Sequence, residues 1–352
     1  MDYQKTLEEL ILTVIRESGS DLHLGVGRRP AVRVMSELTF LLKYPELSRD
    51  DMMGLLSLIV DKEKLKKFME KQEMDFSYDF RGEARFRCNA FFQKGSISLA
   101  MRLIPQVKTL EELRLPPIIA ELTRKKQGFF LCVGSVGQGK STTLASMINL
   151  INNEEARHII TIEDPIEHIY TPNKAIIDQR EVGIDTEDFQ VALKSTFRED
   201  VNVIMIGEMR NIETIGTAVT AAETGHLVLS TLHTNNASQA IDRIIDSFPG
   251  NQQDQIRIQL ASSLLCIFSQ RLIPRIAGGL VPAYEILLNN NAVANLIREK
   301  RTNEIDVVIE TGSEHGMVDL NRSLIDLVRA GEISIESAYQ YSLNPKGLER
   351  LL

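Results

Sequence analysis

The segment Gly134-Ser135-Val136-Gly137-Gln138-Gly139-Lys140-Ser141 decides how this chain folds. It follows an apolar run of strand length, Gly128–Val133, and precedes a helical pattern over about 140–152. Glycines at this spacing allow the backbone N–H groups of a loop to face a phosphate, and a helix N-terminus adds partial positive charge. Lys140 would then reach the β- and γ-phosphates, and the Ser141 hydroxyl would bind Mg²⁺. The segment therefore predicts a site for ATP and Mg²⁺.

Strands and helices alternate around this segment from residue 118 onward. Further apolar runs lie at His158–Ile162, Asn202–Ile206 and Leu227–Leu232, and helical patterns at about 187–198, 211–222 and 237–246. Apolar strands between helices predict an α/β fold with a mostly parallel sheet that is covered on both faces. After Pro282 the pattern predicts helices, at about 291–299, 304–310, 319–330 and 334–341.

A smaller α+β unit precedes this domain. Its pattern predicts helices over 2–17, 49–60 and 62–71, and strands over 21–24, 31–34, 38–42, 76–80, 84–93 and 96–104. Prolines at 105, 116 and 117 indicate a linker. We therefore expect an N-terminal domain over 1–104, a linker over 105–117, a nucleotide-binding domain over 118–290 and a helical C-terminal appendage over 291–352.

The composition is that of an ordinary globular protein of 352 residues, with 43% hydrophobic and 25% charged residues. Residues 1–105 carry 17 basic and 16 acidic side chains, and residues 106–352 carry 23 and 32. This balance offers no basic stripe, so we expect no nucleic-acid partner. Three separated cysteines exclude a disulfide framework. No membrane-span or signal-peptide pattern occurs, which predicts a cytoplasmic protein that does not insert into the membrane.

Two predicted strands end in carboxylates suited to hydrolysis. Glu208 follows the strand 202–206, and Glu163 and Asp164 follow the strand 158–162. Ligands of open α/β sheets bind at the carboxyl edge of the strands, where these groups are expected. We predict that Glu208 and Glu163 polarise or orient the attacking water and that Asp164 shares the metal role with Ser141. A solvated strand end is the alternative for either glutamate.

Two histidines bracket the predicted strand 227–232. His226 precedes it and His233 follows it, so seven residues of about 3.3 Å each separate them by roughly 23 Å on a straight strand. Because they cannot both touch one γ-phosphate, we expect His233, at the carboxyl end, to sense the nucleotide. His226 is expected to serve the opposite edge or an interface, with a purely structural role as the alternative.

Three arginines of the N-terminal unit are candidates for completing a catalytic site. Arg85 and Arg87 lie on one face of the strand 84–93, and Arg102 lies on the next strand. A solvated strand face is the simpler interpretation. The alternative is that they act as arginine fingers on a nucleotide bound by a neighbouring subunit.

Five motifs together make the chain resemble the type IV pilus retraction ATPases of the secretion ATPase superfamily. They are Ser20-Asp21-Leu22-His23-Leu24, the loop 134–142, Thr161-Ile162-Glu163-Asp164-Pro165-Ile166-Glu167, Gly207-Glu208-Met209-Arg210, and Ala221-Ala222-Glu223-Thr224-Gly225-His226 with His233-Thr234. The resemblance covers nearly the whole chain. The nucleotide-binding residues are then expected to be Gly134, Ser135, Val136, Gly137, Gln138, Gly139, Lys140, Ser141 and Thr142.

The resemblance also implies a fold and a function. It implies a P-loop NTPase with a RecA-like core, a PAS-like N-terminal domain and a helical C-terminal appendage. The implied activity is a Mg²⁺-dependent ATPase that drives pilus disassembly and twitching motility as a homohexameric ring, at the inner face of the cytoplasmic membrane. An inner-membrane platform protein and paralogous pilus ATPases are the expected partners.

This chain departs from the family pattern at two places. The loop usually reads Gly-Pro-Thr-Gly-Ser-Gly, so Ser135, Val136 and Gln138 differ, and Ala294 replaces an arginine of the C-terminal motif. Three alternatives stay open: an assembly or export ATPase of the same superfamily, an accessory paralogue, and a nucleotide-gated scaffold without turnover. The chain lacks the four-cysteine metal element common in assembly ATPases, and the two glutamates argue against a scaffold.

Overall fold

The chain divides into two compact units, which we describe separately. A computed structural model describes residues 2–34, 37–104, 107–209 and 211–351. One unit comprises residues 1–106 with 167–169, and the other comprises 107–166 with 170–352. Two positions of the predicted linker, 105 and 106, and Arg210 of the fourth family motif lie outside the described residues. In the described ranges, no helix is both long and apolar enough to cross a membrane.

The N-terminal unit is an antiparallel sheet with three helices. Its elements are α1 (Tyr3–Arg16), β1 (Asp21–Gly25), β2 (Ala31–Val34), β3 (Glu37–Phe40), α2 (Arg49–Ile59), α3 (Lys62–Lys71), β4 (Glu73–Phe80), β5 (Ala84–Gln93) and β6 (Ser96–Ile104). The strand order is β3-β2-β1-β6-β5-β4. Side chains of the helices and strands, among them Leu10, Leu55 and Phe86, form one buried core.

The sequence of α1 explains why it forms and which face it buries. The Asp2 carboxylate caps its first turn by accepting from the Lys5 N–H at 3.1 Å. Leu7, Leu10, Ile11 and Val14 are buried at helical spacing. This matches the helix predicted from the same periodicity.

The second unit is built on a seven-stranded sheet. Its elements are α4 (Ile118–Thr123), β7 (Gly128–Val133), α5 (Lys140–Glu154), β8 (His158–Glu163), β9 (Ile176–Glu181), α6 (Phe189–Thr196), β10 (Val203–Ile206), α7 (Ile212–Glu223), β11 (Leu227–Leu232), α8 (Ala237–Asp246), α9 (Gly250–Ser263), β12 (Leu264–Pro274) and β13 (Leu280–Leu288). The order is β13-β12-β7-β11-β10-β8-β9, and among the strands that the structure describes here only the β12–β13 pair is antiparallel. The predicted α/β fold with a mostly parallel sheet is confirmed.

Both faces of this sheet are covered, because alternate residues of each strand enter different cores. Phe129 and Leu131 of β7 pack in one core, with α7 and α8. Phe130 and Cys132 pack in the other, with α4 and α5. Every residue of β7 is buried, which is why the strand is a continuous apolar run.

The C-terminal residues form short helices. They are α10 (Asn291–Arg298), α11 (Ile305–Thr311), α12 (Leu320–Arg329), α13 (Ile335–Tyr341) and α14 (Pro345–Glu349). The predicted helical C-terminal part is therefore present. Ala294, at the position of the family's arginine, is buried in α10.

The strand β13 runs through Pro282 to Leu288, and the helices predicted after this proline begin beyond the strand, with α10 at Asn291. Pro282 lies opposite Leu272 in the antiparallel ladder. The backbone N–H of Leu272 is donated away from β13, to the Gln138 side chain. A strand tolerates proline at such a position, since the ladder requires no N–H there. The sequence pattern missed α4, β9, α9, β12, β13 and α14.

Candidate functional site

The predicted phosphate loop joins β7 to α5, as its sequence requires. Gly134, Gly137 and Gly139 adopt φ angles of 149°, 79° and 79°, a region that favours glycine. A Cβ atom on Gly134 would lie 2.6 Å from the carbonyl oxygen of Gln270, whereas one on Gly137 would have no atom of the described residues within 4 Å. The loop is therefore packed on its β12 side and open at Gly137.

The N-terminus of α5 adds backbone donors to this loop. Among the described residues, no side chain caps this helix. The first N–H groups of a helix have no partner inside the helix, so they are suited to bind an anion. The hydroxyl-bearing residue Ser141 lies exposed in the first turn, where an oxygen ligand for Mg²⁺ fits. Val136 is 81% exposed at the loop tip.

The ammonium group of Lys140 lies inside the loop. It donates to the carbonyl oxygens of Gly134 and Ser135, each at 2.9 Å. Its Nζ atom also lies 3.3 Å from Nδ1 of His233. Although Lys140 is only 7% exposed, its charge is thus held by polar atoms at the place where the sequence predicts a phosphate-binding cation.

Four polar segments lie next to one another at the carboxyl edge of the sheet. Neighbouring strands β7, β11, β10 and β8 are parallel and in register. The phosphate loop, His233, Glu208 and Glu163 follow or end these strands in the same order. Strand order therefore brings together groups from four separate places in the sequence.

Glu163 is held firmly at the end of β8. Its Oε1 atom accepts from Oγ1 of Thr161 at 2.7 Å and from Nε2 of Gln179 at 3.4 Å. The side chain is 6% exposed. Asp164, the predicted metal ligand, is the next residue and is exposed.

Glu208 follows β10 and contacts His233. Nε2 of His233 lies 3.3 Å from Oε1 of Glu208. The backbone beside it is fixed, because the Gly207 N–H donates to the carbonyl oxygen of Ile162 at 2.9 Å and Thr231 Oγ1 donates to that of Gly207 at 2.7 Å. The glutamate and the histidine thus approach each other from two neighbouring strands.

His226 lies at the opposite end of β11 from His233. Its Nδ1 atom lies 3.1 Å from the carbonyl oxygen of Ala221, and its ring meets that of Phe197 edge-on at 5.5 Å between centroids. These contacts position it at the end of α7, away from the carboxyl edge. The sequence placed it at this end.

The three candidate arginines belong to the N-terminal unit. Arg87 and Arg102 lie directly opposite each other on β5 and β6, so they share a face with Arg85. Nε of Arg102 donates to Oδ1 of Asp21 at 2.8 Å. Although burial acts to raise the pKa of the Asp21 carboxyl, hydrogen bonds from Ser20 and Arg102 hold it below its ordinary value. Arg102 therefore has an acidic partner in its own unit.

Gln270 of β12 supports the loop and was missed by the sequence analysis. Its Nε2 atom donates to the carbonyl oxygen of Gln138 at 2.8 Å, and its Oε1 atom accepts from Oγ1 of Thr143 at 2.6 Å. The residue is buried. The available signal was a glutamine two residues after the apolar run 264–268.

A cleft of about 600 Å³ adjoins the loop. Its lining includes Gly139, Thr142 and Thr143 on one side, Leu113 on another, and Leu272 and Leu280 of the β12–β13 hairpin. The cleft thus offers apolar side chains beside the start of α5, together with the charged residues Lys108, Glu112, Arg114 and Arg275. Its position and size suit the base and ribose of a nucleotide whose phosphates occupy the loop.

Comparison with known proteins gives matches along nearly the whole chain. Residues 99–304 match the family model of type II/IV secretion system proteins. The chain is 41% identical to the type IV pilus retraction ATPase PilT of Pseudomonas aeruginosa over 97% of its own length and 99% of that protein. It is 39% identical to the type IV pilus ATPase PilU of the same organism, over 98% of its length and 91% of that protein.

A solved structure matches equally broadly. The crystal structure of the pilus retraction motor PilT with bound ADP covers 97% of this chain and 98% of its own, with a TM-score of 0.91 and 45% identity. The two-part architecture described above and the helical C-terminal part are therefore those of a known ATPase fold.

Proposed function

Since the chain belongs to the type IV pilus retraction ATPases, within the family of type II/IV secretion system proteins, we propose that it is the motor that powers pilus retraction and twitching motility. The chain is an ATPase. The observation that carries the proposal is the row formed by the phosphate loop, His233, Glu208 and Glu163 on one sheet edge. Hydrolysis of a nucleoside triphosphate needs a loop that binds the phosphates, a residue that senses the γ-phosphate and carboxylates that act on the attacking water.

In the proposed site, residues 134–142 hold the phosphates. The N–H groups of the loop and of the first turn of α5 face them, and the Lys140 ammonium exchanges its bonds to the Gly134 and Ser135 carbonyls for the β- and γ-phosphate oxygens. Ser141 and the exposed Asp164 would hold Mg²⁺. The ion supplies neutralisation of phosphate charge when bound.

Glu208 is the proposed general base, and Glu163 has the proposed supporting role. Glu208 is 27% exposed in its side chain, so water reaches it. Glu163 is more buried and already accepts from Thr161 and Gln179, which suits a group that orients rather than one that takes up a proton. His233 then links Lys140 to Glu208 and reports whether the γ-phosphate is present.

In the proposed ring, a second subunit supplies further positive charge to the bound nucleotide. Arg85, Arg87 and Arg102 share one face of the N-terminal sheet. In a homohexamer, this face of one protomer would complete the nucleotide site of its neighbour, as arginine fingers do. Asp21 would then serve to orient Arg102.

The proposed partners follow from the motor role. We place the hexamer at the inner face of the cytoplasmic membrane, against a platform protein of the pilus. A role as an accessory paralogue is the second candidate function, because the 39% identity to PilU, over 98% of this chain, nearly equals the identity to PilT. In that role the ATPase would assist another retraction motor.

Deletion of the gene, followed by counting of surface pili and measurement of twitching, tests the function. A retraction motor predicts more pili and no twitching, and complementation with Lys140→Ala should fail because the phosphate cation is missing. Fewer pili would contradict retraction and indicate assembly. Normal pilus numbers with weakened twitching would favour the accessory role.

A further inference from the structure

The side chain of Gln138 binds the phosphate loop to a neighbouring strand. Its Oε1 atom accepts the backbone N–H of Leu272 at 2.6 Å. The ladder between β12 and β7 reaches only to Ser269, opposite Val133. Beyond this point the chain leaves β7 and forms the phosphate loop. The Gln138 side chain therefore accepts the Leu272 N–H, which lies beyond the end of the β7 ladder.

The same loop residue is also held at its backbone. Nε2 of Gln270 donates to the carbonyl oxygen of Gln138 at 2.8 Å. Gln270 bonds through its side chain and Leu272 through its backbone N–H, and the two residues lie two positions apart on β12. The loop is therefore bonded to β12 at two nearby positions.

This part of β12 belongs to a rigid frame. It pairs with β13 as far as Pro274, opposite Leu280. Nη1 of Arg271 donates to the carbonyl oxygen of Tyr341 at 3.1 Å. Nε of Arg275 donates to Glu332 at 2.6 Å. A hydrogen bond from the loop to β12 thus connects the loop indirectly to the C-terminal helices.

The family loop that this chain resembles has serine at the position of Gln138. A serine hydroxyl oxygen is bonded directly to Cβ, whereas the Oε1 atom of glutamine is two carbon atoms further out. With the backbone in place, a serine at residue 138 does not reach the Leu272 N–H. The contact is therefore specific to the glutamine of this chain.

We propose that Gln138 is a positioning residue that fixes the phosphate loop to β12 before a nucleotide binds and so tightens the binding of ADP and ATP. This inference rests on the proposed phosphate role of the loop. A loop that is already ordered loses less conformational entropy on binding, so nucleotides bind more tightly. Gln138 itself needs no contact with the nucleotide.

The test compares the full chain with Gln138→Ser and Gln138→Met, the second of which preserves length without an acceptor. Hydrogen exchange of the Leu272 amide should accelerate in both, whereas Gln138→Glu, which keeps an acceptor of the same reach, should retain protection. The Kd for a fluorescent ADP analogue and the KM for ATP should rise roughly two- to tenfold, as expected for one hydrogen bond.

Two results would overturn the proposal. One is continued protection of the Leu272 amide in both Gln138→Ser and Gln138→Met. The other is lost protection with an unchanged Kd for the ADP analogue, in variants whose thermal unfolding matches that of the parent. A different result would show that the loop does not bind phosphate at all. In that case Lys140→Ala would bind the ADP analogue as tightly as the parent, whichever residue occupies position 138.

Discussion

The Nε2 atom of His233 lies 3.3 Å from the Oε1 atom of Glu208. His233 follows β11, and Glu208, the proposed base, follows the neighbouring strand β10. The other ring nitrogen of His233 lies 3.3 Å from Nζ of Lys140. The imidazole thus lies between Lys140, the proposed phosphate-binding cation, and Glu208, the proposed general base. We therefore expect a displacement of Lys140 to affect the position of Glu208, and the reverse, through the ring of His233.

We expect His233→Asn to lower kcat for ATP hydrolysis roughly 10- to 100-fold, because it removes a hydrogen bond to a charged group that orients Glu208. The Kd for ATP should change much less. The matched control is His226→Asn at the opposite end of β11, which should leave ATPase activity within about twofold of the parent. Equal losses in both variants would contradict the sensor role.

Glu208→Gln should bind ATP normally while hydrolysis falls roughly 10²- to 10⁴-fold, because the amide cannot accept a proton. Phosphate release and ATP binding, measured on the same preparation, separate the two effects. Glu163→Gln is the companion variant, with Thr161 and Gln179 still able to bond the new side chain. Near-normal turnover in Glu208→Gln would move the base role to Glu163, and activity in both variants would refute the carboxylate chemistry.

The arginine fingers predict complementation between inactive subunits. Glu208→Gln and a triple variant with Arg85, Arg87 and Arg102 changed to alanine should each be inactive alone, since a finger contributes about 10³- to 10⁵-fold in rate. In mixed rings, some interfaces pair an intact Glu208 site with intact arginines, so partial ATPase activity should return. Demonstrated mixing without recovered activity would show that the arginines act within their own subunit or only hold the ring together.

Glu285 predicts a pH dependence of stability. Burial raises the pKa of its carboxyl from 4.5 to about 7, and the hydrogen bond from the Ala237 N–H only partly offsets this. Because the folded state binds this proton more tightly than the unfolded state, stability is greatest below about pH 4.5 and falls as the pH rises through about 7. The loss at alkaline pH amounts to at most about 3 kcal/mol.

Denaturant unfolding at pH 5.5 and pH 8 measures this effect. Glu285→Gln keeps an acceptor for Ala237 and should remove most of the difference between the two pH values. Glu314→Gln, which removes an exposed carboxylate, is the control and should retain the difference. The same pH dependence in all three proteins would show that another group is responsible.

The sequence by itself determined the features that depend on neighbouring residues. An apolar strand, three glycines and Lys140 at the start of a helix can be recognised within about twenty-five residues, since each requirement is local. Glu163 and Glu208 could be placed at a strand end for the same reason. The alternating pattern of β5 likewise put Arg85 and Arg87 on one face.

Only the tertiary structure decided which of these pieces meet. Periodicity identifies a strand but not its neighbours, so the row from the loop through His233 to Glu163 follows from the order β7-β11-β10-β8. The bond between Gln138 and Leu272 joins residues 134 positions apart, and neither residue carries a local signal for it. The strand through Pro282 was not predicted, because a proline is compatible with a strand only where its nitrogen points away from the paired strand. That direction is set by packing between distant segments, which a local pattern does not contain.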